Sequence, residues 1–412
     1  MKKCVLGEFA DLIPGVSYTP DGIASSGIRI LRGGNINSSE LQLKEDDVIL
    51  SESYQCKDNE VHEGDTIVVA SSGSADAFGK AATSWVDLPG VQIGAFLRIV
   101  RPRKREYAAL VSAWVTQPIF QRYIGSVAKG TGINNIRKEY IEKYPINVDD
   151  SGLEQFSELY ESICKKIALN RKRIATLEAM AKEIYDYWFV QFDFPDAHGR
   201  PYKSSGGAMV YNPDLKREIP KGWEVKPLGE LTRIILGGTP ATEEARYWEG
   251  GTVPWLSSGE VANFPVLSSE KKITELAIKN SATDLMPSGS VALSITRYIR
   301  PTILAIEACA NQSVVGVLET EQLHNSLIYP YLVSQVPRFL GLRTGAQQPH
   351  INKDTVSGSM VPVATTSVLK WYYDLVDPVY NNIMVVARNL QEMYKLRDFL
   401  LPLLMNGQVK VA

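Results

Sequence analysis

The sequence predicts an α+β chain built twice over: two pseudo-repeated β-rich domains and two long coiled-coil helices that pack on each other. Matched helical seams predict the helices. Short apolar runs bounded by turn residues predict the β-rich parts. Landmarks that recur at offsets of roughly 215 to 225 residues predict the duplication.

The first seam steps by three and four residues through Leu153, Phe156, Tyr160, Ile163, Ile167, Asn170, Ile174, Leu177, Ala181, Ile184 and Trp188, and all but Asn170 are apolar. This is coiled-coil spacing. Ser151 and Glu154 have the form of a capping box. The second seam falls on matching positions at Leu369, Tyr372, Val376, Val379, Ile383, Val386, Leu390, Met393, Arg397, Leu400 and Leu404. Such a helix is roughly 55 Å long at 1.5 Å per residue. Two seams in one chain pack most simply on each other. Polar Asn170 and Arg397 at the interface would fix register at some cost in stability. Pro378 either kinks the second helix or, with Asp377, starts it, and Gly407 marks its end.

Five segments follow. Residues 1–148 hold strand candidates at 28–31, 48–50, 66–70 and 92–100, a helix over 108–124 and a Gly- and Asn-rich loop at 129–138. Residues 149–192 form the first long helix. Residues 193–222, rich in Gly, Ser, Pro and Lys, read as a linker. Residues 223–364 repeat the first domain, and 365–412 form the second helix. Leu228-Gly229-Glu230-Leu231 echoes Leu6-Gly7-Glu8-Phe9; 253–261 stands for 28–36, 288–294 for 63–69, and 345–353 for 130–138.

A net charge of −2 gives no general attraction to nucleic acid, so any such contact must use local positive charge. Cys4, Cys56, Cys164 and Cys309 are scattered, which indicates neither zinc nor a disulfide framework. With no leader-like start and no membrane-crossing stretch, a cytoplasmic protein is expected. His62, His198, His324 and His350 lack ligand spacing. The segment Gly73–Lys80 has one residue too many for a phosphate-binding loop, and Ala81 stands where magnesium would need Ser or Thr. The dinucleotide fingerprint and the Asn-Pro-Pro-aromatic loop of adenine methyltransferases are missing, so the sequence predicts no catalysis on this chain.

Several segments carry a likeness: Ile30-Leu31-Arg32-Gly33-Gly34-Asn35-Ile36, the Ser71–Lys80 loop, Gly130-Thr131-Gly132-Ile133-Asn134-Asn135-Ile136, Ala181–Phe194 and Leu400–Gly407. In their order and duplication the chain resembles the specificity (S) subunit of type I restriction–modification enzymes. The resemblance implies a non-catalytic DNA reader. Its two β-rich globules would be target recognition domains, each binding one half of a split target in double-stranded DNA, separated by the two long helices as an antiparallel coiled-coil pair that sets the spacing. Two methyltransferase (M) subunits would dock on it and use S-adenosylmethionine to methylate an adenine extruded from the duplex. Two restriction (R) subunits, with ATP and magnesium, would join where the system cuts. No cofactor is expected on this chain.

Candidate DNA contacts are polar or basic residues in matched loops. In the first half these are Arg32, Asn35, Ser71, Ser74, Lys80, Asn134, Arg137 and Lys138. In the second they are Ser257, Ser258, Arg297, Arg300, Gln347, Gln348, His350, Asn352 and Lys353. Arg can bond guanine bidentately, Asn and Gln adenine, while Lys meets phosphate. The basic run Arg101–Arg105 suits either phosphate or a solvated strand end. Candidate interhelix residues are Ile163, Ile167, Asn170, Ile174 and Leu177, with Ile383, Val386, Leu390, Met393 and Arg397. The same plan would also serve a coiled-coil scaffold that binds proteins without DNA specificity.

Overall fold

The computed structural model describes every residue except 1, 38–39, 45, 74–76, 129–135, 149–152, 297–298, 345–349 and 406–412. The chain divides into two compact units, Met1–Leu169 with Glu392–Ala412, and Asn170–Gln391. Both long helices therefore cross the boundary.

In the first unit the opening strand Lys2–Val5 pairs antiparallel with Pro145–Val148, the strand that leads into the first long helix. The turn Leu6-Gly7-Glu8 follows, closed by the Glu8 carboxylate accepting the Val5 N–H at 2.9 Å. Between these ends lie two four-stranded sheets. One is antiparallel in the order Ala10–Pro14, Leu97–Pro102, Thr66–Val69, Ala81–Thr83. The other has the order Val48–Leu50, Ile23–Leu31, Leu88–Ile93, Glu60–Val61, with Ile23–Leu31 and Leu88–Ile93 parallel. Thr66–Val69 is buried on both faces, which is why residues 67–69 read as an unbroken apolar run after Thr66.

The second unit repeats this plan. Glu224–Pro227 pairs with Met360–Val363, and Leu228–Leu231 forms the following helical turn. Its four-stranded sheet runs Ile234–Leu236, Val314–Val317, Val291–Ser294, Pro301–Ile303. Val253–Leu256 runs parallel to Cys309–Ala310. The same backbone demands recur. Gly64 and Gly289 take φ of +91° and +94° in the equivalent turn, a conformation suited to glycine. A Cβ on Gly15 would fall 2.1 Å from the Gly94 carbonyl oxygen, and one on Gly237 2.1 Å from that of Asn311.

The long helices are Leu153–Tyr185 and Thr366–Met405. Within the first unit, Phe156, Tyr160 and Cys164 share an apolar cluster with Leu401. Within the second, Arg173 donates to the Asn382 side chain at 3.2 Å, and Trp188 and Phe189 meet Tyr372 with ring centres 5.6 and 4.9 Å apart. Early residues of one helix thus meet late residues of the other, an antiparallel pairing. Ile163, Ile167, Ile174, Ile383, Val386 and Leu390 are buried; Asn170, Leu177, Met393 and Arg397 are half-buried.

Several expectations change. Residues 92–100 are not one strand, because Leu88–Ile93 and Leu97–Pro102 belong to different sheets and turn at Gly94, whose N–H reaches the Leu31 carbonyl at 2.9 Å. The helix expected over 108–124 is two, Ala108–Val115 and Pro118–Val127, with Pro118 opening the second. The supposed linker folds: Met209–Asn212 and Arg217–Pro220 form a hairpin. Phe192, Phe194 and Trp223 are buried beside it, and the Arg217 guanidinium lies 4.5 Å from the centre of the Phe192 ring. Its polar composition hid Phe194, which packs with Phe192 and Trp223 from just outside the segment.

Near the end of the first seam Tyr185 is buried in place of Ile184. A π-helical turn follows over Asp186–Val190 and sets both Trp188 and Phe189 inward. The second helix runs through Pro378, which is exposed along with Asp374, so water can serve the carbonyl that proline leaves without a partner. The Ser151 cap and Gly407 lie outside the described residues.

Gly15→Ala and Gly237→Ala should each cost about 1–3 kcal/mol, because a methyl group would press on backbone that cannot move aside. Gly125→Ala, in an open helical position, should add about 0.5–1 kcal/mol. Unfolding midpoints of the three variants check this; unchanged midpoints for both Gly15→Ala and Gly237→Ala would contradict the close strand approach.

Candidate nucleic-acid interface

In the first unit the strand Thr66–Val69 runs out into the loop that returns as Ala81–Thr83. The base of this loop is fixed. The Ala70 and Ser71 N–H groups both donate to the Phe96 carbonyl, at 2.8 and 3.0 Å, and the Val69 N–H donates to the Lys80 carbonyl at 2.8 Å. A second segment is tied to the same point: the buried Ile136 donates its N–H to the Ala70 carbonyl at 2.8 Å. That bond sets Arg137 and Lys138, both exposed, beside the loop that carries Ser71 and Lys80. Lys138 pairs with Glu142 at 3.4 Å, an exposed contact that leaves its charge available.

The second unit makes the same bond. Ile351 donates its N–H to the Ile295 carbonyl at 3.0 Å, just beyond the strand Val291–Ser294. Asn352 and Lys353 therefore lie beside the loop that leads to Arg300, which is exposed. The Asn352 side chain caps its short helix by accepting from the Thr355 N–H and hydroxyl at 2.8 and 2.7 Å. His350 is exposed and exchanges backbone hydrogen bonds with Thr344 at 2.9 and 3.0 Å.

Other candidates have different roles. Asn35 is buried and fully engaged. Its amide donates to the Asp47 carboxylate at 2.6 Å and the Gln42 carbonyl at 2.8 Å, and its oxygen accepts the Arg32 N–H at 2.7 Å. It locks this turn, with its side-chain amide and oxygen taken up within the protein. Ser257 holds the matching turn of the second unit: its N–H and hydroxyl donate to the Glu260 carboxylate at 2.8 and 2.7 Å. Arg32 remains exposed, with one guanidinium nitrogen 3.3 Å from the Asp46 carbonyl. Ser258 is half-buried. Ser74, Asn134, Arg297, Gln347 and Gln348 lie outside the described residues.

The arginines of the basic run 101–105 are paired within the protein, Arg101 with a buried carboxylate and Arg103 with an exposed one. Arg101 forks onto Asp65 at 2.9 and 2.8 Å, Arg103 meets Asp11 at 3.0 Å, and Arg105 meets Glu63 at 2.7 Å and also Glu161. Asp65 is buried, so the Arg101 pair is part of the fold. Spacing alone could not reveal carboxylates contributed from other strands.

Burial pushes the Cys164 thiol up to about 12 and the Cys309 thiol up to about 11, so neither of these two is a ready thiolate. Among the described residues, no group of three or more His, Cys, Asp or Glu could hold a metal ion. No helix among them is long and apolar enough to cross a membrane.

Residues 220–368 match the type I restriction modification DNA specificity domain. The specificity subunit of the type I restriction enzyme MjaIX from Methanocaldococcus jannaschii is 25% identical over 265 residues, covering 63% of this chain and 57% of that protein. The EcoR124I/EcoR124II specificity subunit from Escherichia coli is 29% identical over 161 residues, covering 37% of this chain and 40% of that one. The chain thus spans about half the length of these curated relatives. The crystal structure of a type I restriction–modification S subunit from M. genitalium shares the fold, with a TM-score of 0.55 at 12% identity, over 97% of this chain and 94% of that one. Residues 220–368 thus match a type I restriction modification DNA specificity domain, and the chain is similar to specificity subunits of type I restriction enzymes in sequence and to an S subunit in fold.

Proposed function

We propose that this chain is the non-catalytic DNA reader of a type I restriction–modification complex. Each unit reads one half of a split target in double-stranded DNA, and the paired helices set the gap between the halves. The observation that carries this reading is the repeated backbone bond, Ile136 to Ala70 and Ile351 to Ile295, which gathers two polar loops at the same place in each unit. One scaffold presents different side chains: Ser71, Lys80, Arg137 and Lys138 in one unit, Arg300, His350, Asn352 and Lys353 in the other. That is the arrangement a reader of two unlike half-sites needs.

Two methyltransferase subunits dock on the chain and bring S-adenosylmethionine, and two restriction subunits with ATP and magnesium complete a cutting enzyme. The second helix keeps Trp371, Leu375 and Val385 exposed, and these apolar side chains supply a docking row. The complex works in the cytoplasm, where the DNA is. Comparing methylated adenines genome-wide in cells with and without this gene tests the proposal. A two-part motif with a fixed gap should vanish with the gene; an unchanged methylation map would instead favour a protein scaffold.

Substitutions separate readers from scaffold. Arg137→Ala and Lys353→Ala should leave the unfolding midpoint in place, weaken binding and lower the salt dependence by about one counterion each. Asn35→Ala should instead lower stability by about 1–3 kcal/mol, because Asp47 loses its buried donor. A stable Asn35→Ala protein with impaired binding would reverse that assignment.

A further inference from the structure

We propose that Phe96 is a DNA wedge: a ring in the first unit that inserts at a base step of the half-site this unit reads. The inference rests on the DNA-reading function proposed above. Phe96 is the most exposed large apolar side chain among the described residues, at 68%. Its backbone is nevertheless firmly held. The Leu97 N–H closes the turn onto the Gly94 carbonyl at 2.9 Å, and the Gly94 N–H is fixed to the Leu31 carbonyl at 2.9 Å. The Arg98 guanidinium donates to the Ala95 and Leu97 carbonyls at 2.8 and 2.7 Å. A ring kept in water on a fixed turn contributes little to the fold and loses little freedom on binding.

The turn also ties together the candidate reading segments. Leu31 leads directly into Arg32. The Phe96 carbonyl accepts the Ala70 and Ser71 N–H groups at the base of the Ser71–Lys80 loop, and the Ala70 carbonyl accepts the Ile136 N–H next to Arg137. Exposed Arg32, Lys80, Arg137 and Lys138 therefore stand on the segments joined at this turn. Cations that hold phosphates, with an apolar ring among them, match the chemistry by which proteins unstack a base step and fill the gap. The second unit places a different group there. The carbonyl that accepts the Ile295 N–H, at 2.9 Å, belongs to Ser313, and neighbouring Gln312 accepts from the Thr239 hydroxyl. One unit thus carries a wedge where the other carries hydrogen-bonding groups.

The test uses the full chain assembled with its methyltransferase subunits, on target DNA with 2-aminopurine placed through each half-site. Phe96→Ala should keep the unfolding midpoint and the assembly. It should weaken target binding by about tenfold or more and abolish the 2-aminopurine unstacking signal in the first half-site alone. Phe96→Trp should restore both, with indole emission quenched by DNA. Wild-type affinity and signal in Phe96→Ala would overturn the proposal, as would a loss confined to methyltransferase assembly, which would make Phe96 a protein contact. A wild-type complex that binds no DNA would instead defeat the function on which the proposal rests.

Discussion

Burial of one face of each long helix is the constraint that the rest of both units satisfies. In the first unit Phe156, Tyr160 and Cys164 from one helix and Leu401 from the other enter the cluster that holds Trp85, Trp114 and Phe120. In the second, Tyr372 is fully buried between Trp188 and Phe189, and its hydroxyl donates to the Ser326 carbonyl at 3.0 Å. Each such side chain contributes about 1.5–3 kcal/mol on leaving water. Neither unit has a complete core without both helices, so the pairing is part of folding and not a later event.

A polar contact crosses between the two helices within the second unit, where the Arg173 guanidinium donates to the Asn382 side chain at 3.2 Å. Arg397 reaches Asp398 at 2.7 Å and lies over the Tyr394 ring, 5.2 Å from its centre, with little of its side chain in water. Asp377 accepts the Ser326 hydroxyl at 2.5 Å and lies 2.9 Å from the His324 ring, which stacks on Tyr373. The Arg397 contacts lie within its own helix, while Asp377 ties that helix to the start of Asn325–Gly341. Under the proposed function, two units on such helices would gain through effective concentration what each lacks alone.

The helices, the duplication and the central strands were legible because they are patterns of burial: a seam repeats at fixed steps, and residues 67–70 are apolar throughout. The Leu-Gly-Glu turns were legible because close packing and capping limit the residues allowed there. Less legible were features decided by distant partners. The turn at Gly94 is set by Leu31, the hairpin within 193–222 is held by Phe192, Phe194 and Trp223, and Arg101 is claimed by Asp65. Asn35 read as a base contact because a buried amide and an exposed one look alike in sequence. Phe96 read as strand interior, since nothing local distinguishes an aromatic turn residue from a core residue.

The central claim is that two unlike readers act as one through the pairing of their helices. It is tested most directly by measuring the affinity of the assembled complex for DNA carrying both half-sites over a series of gap lengths, beside DNA with either half-site alone. The account predicts one preferred gap, with affinity at least about a hundredfold above either single half-site and falling steeply when the gap changes by a base pair or two. Affinity indifferent to the gap would contradict it.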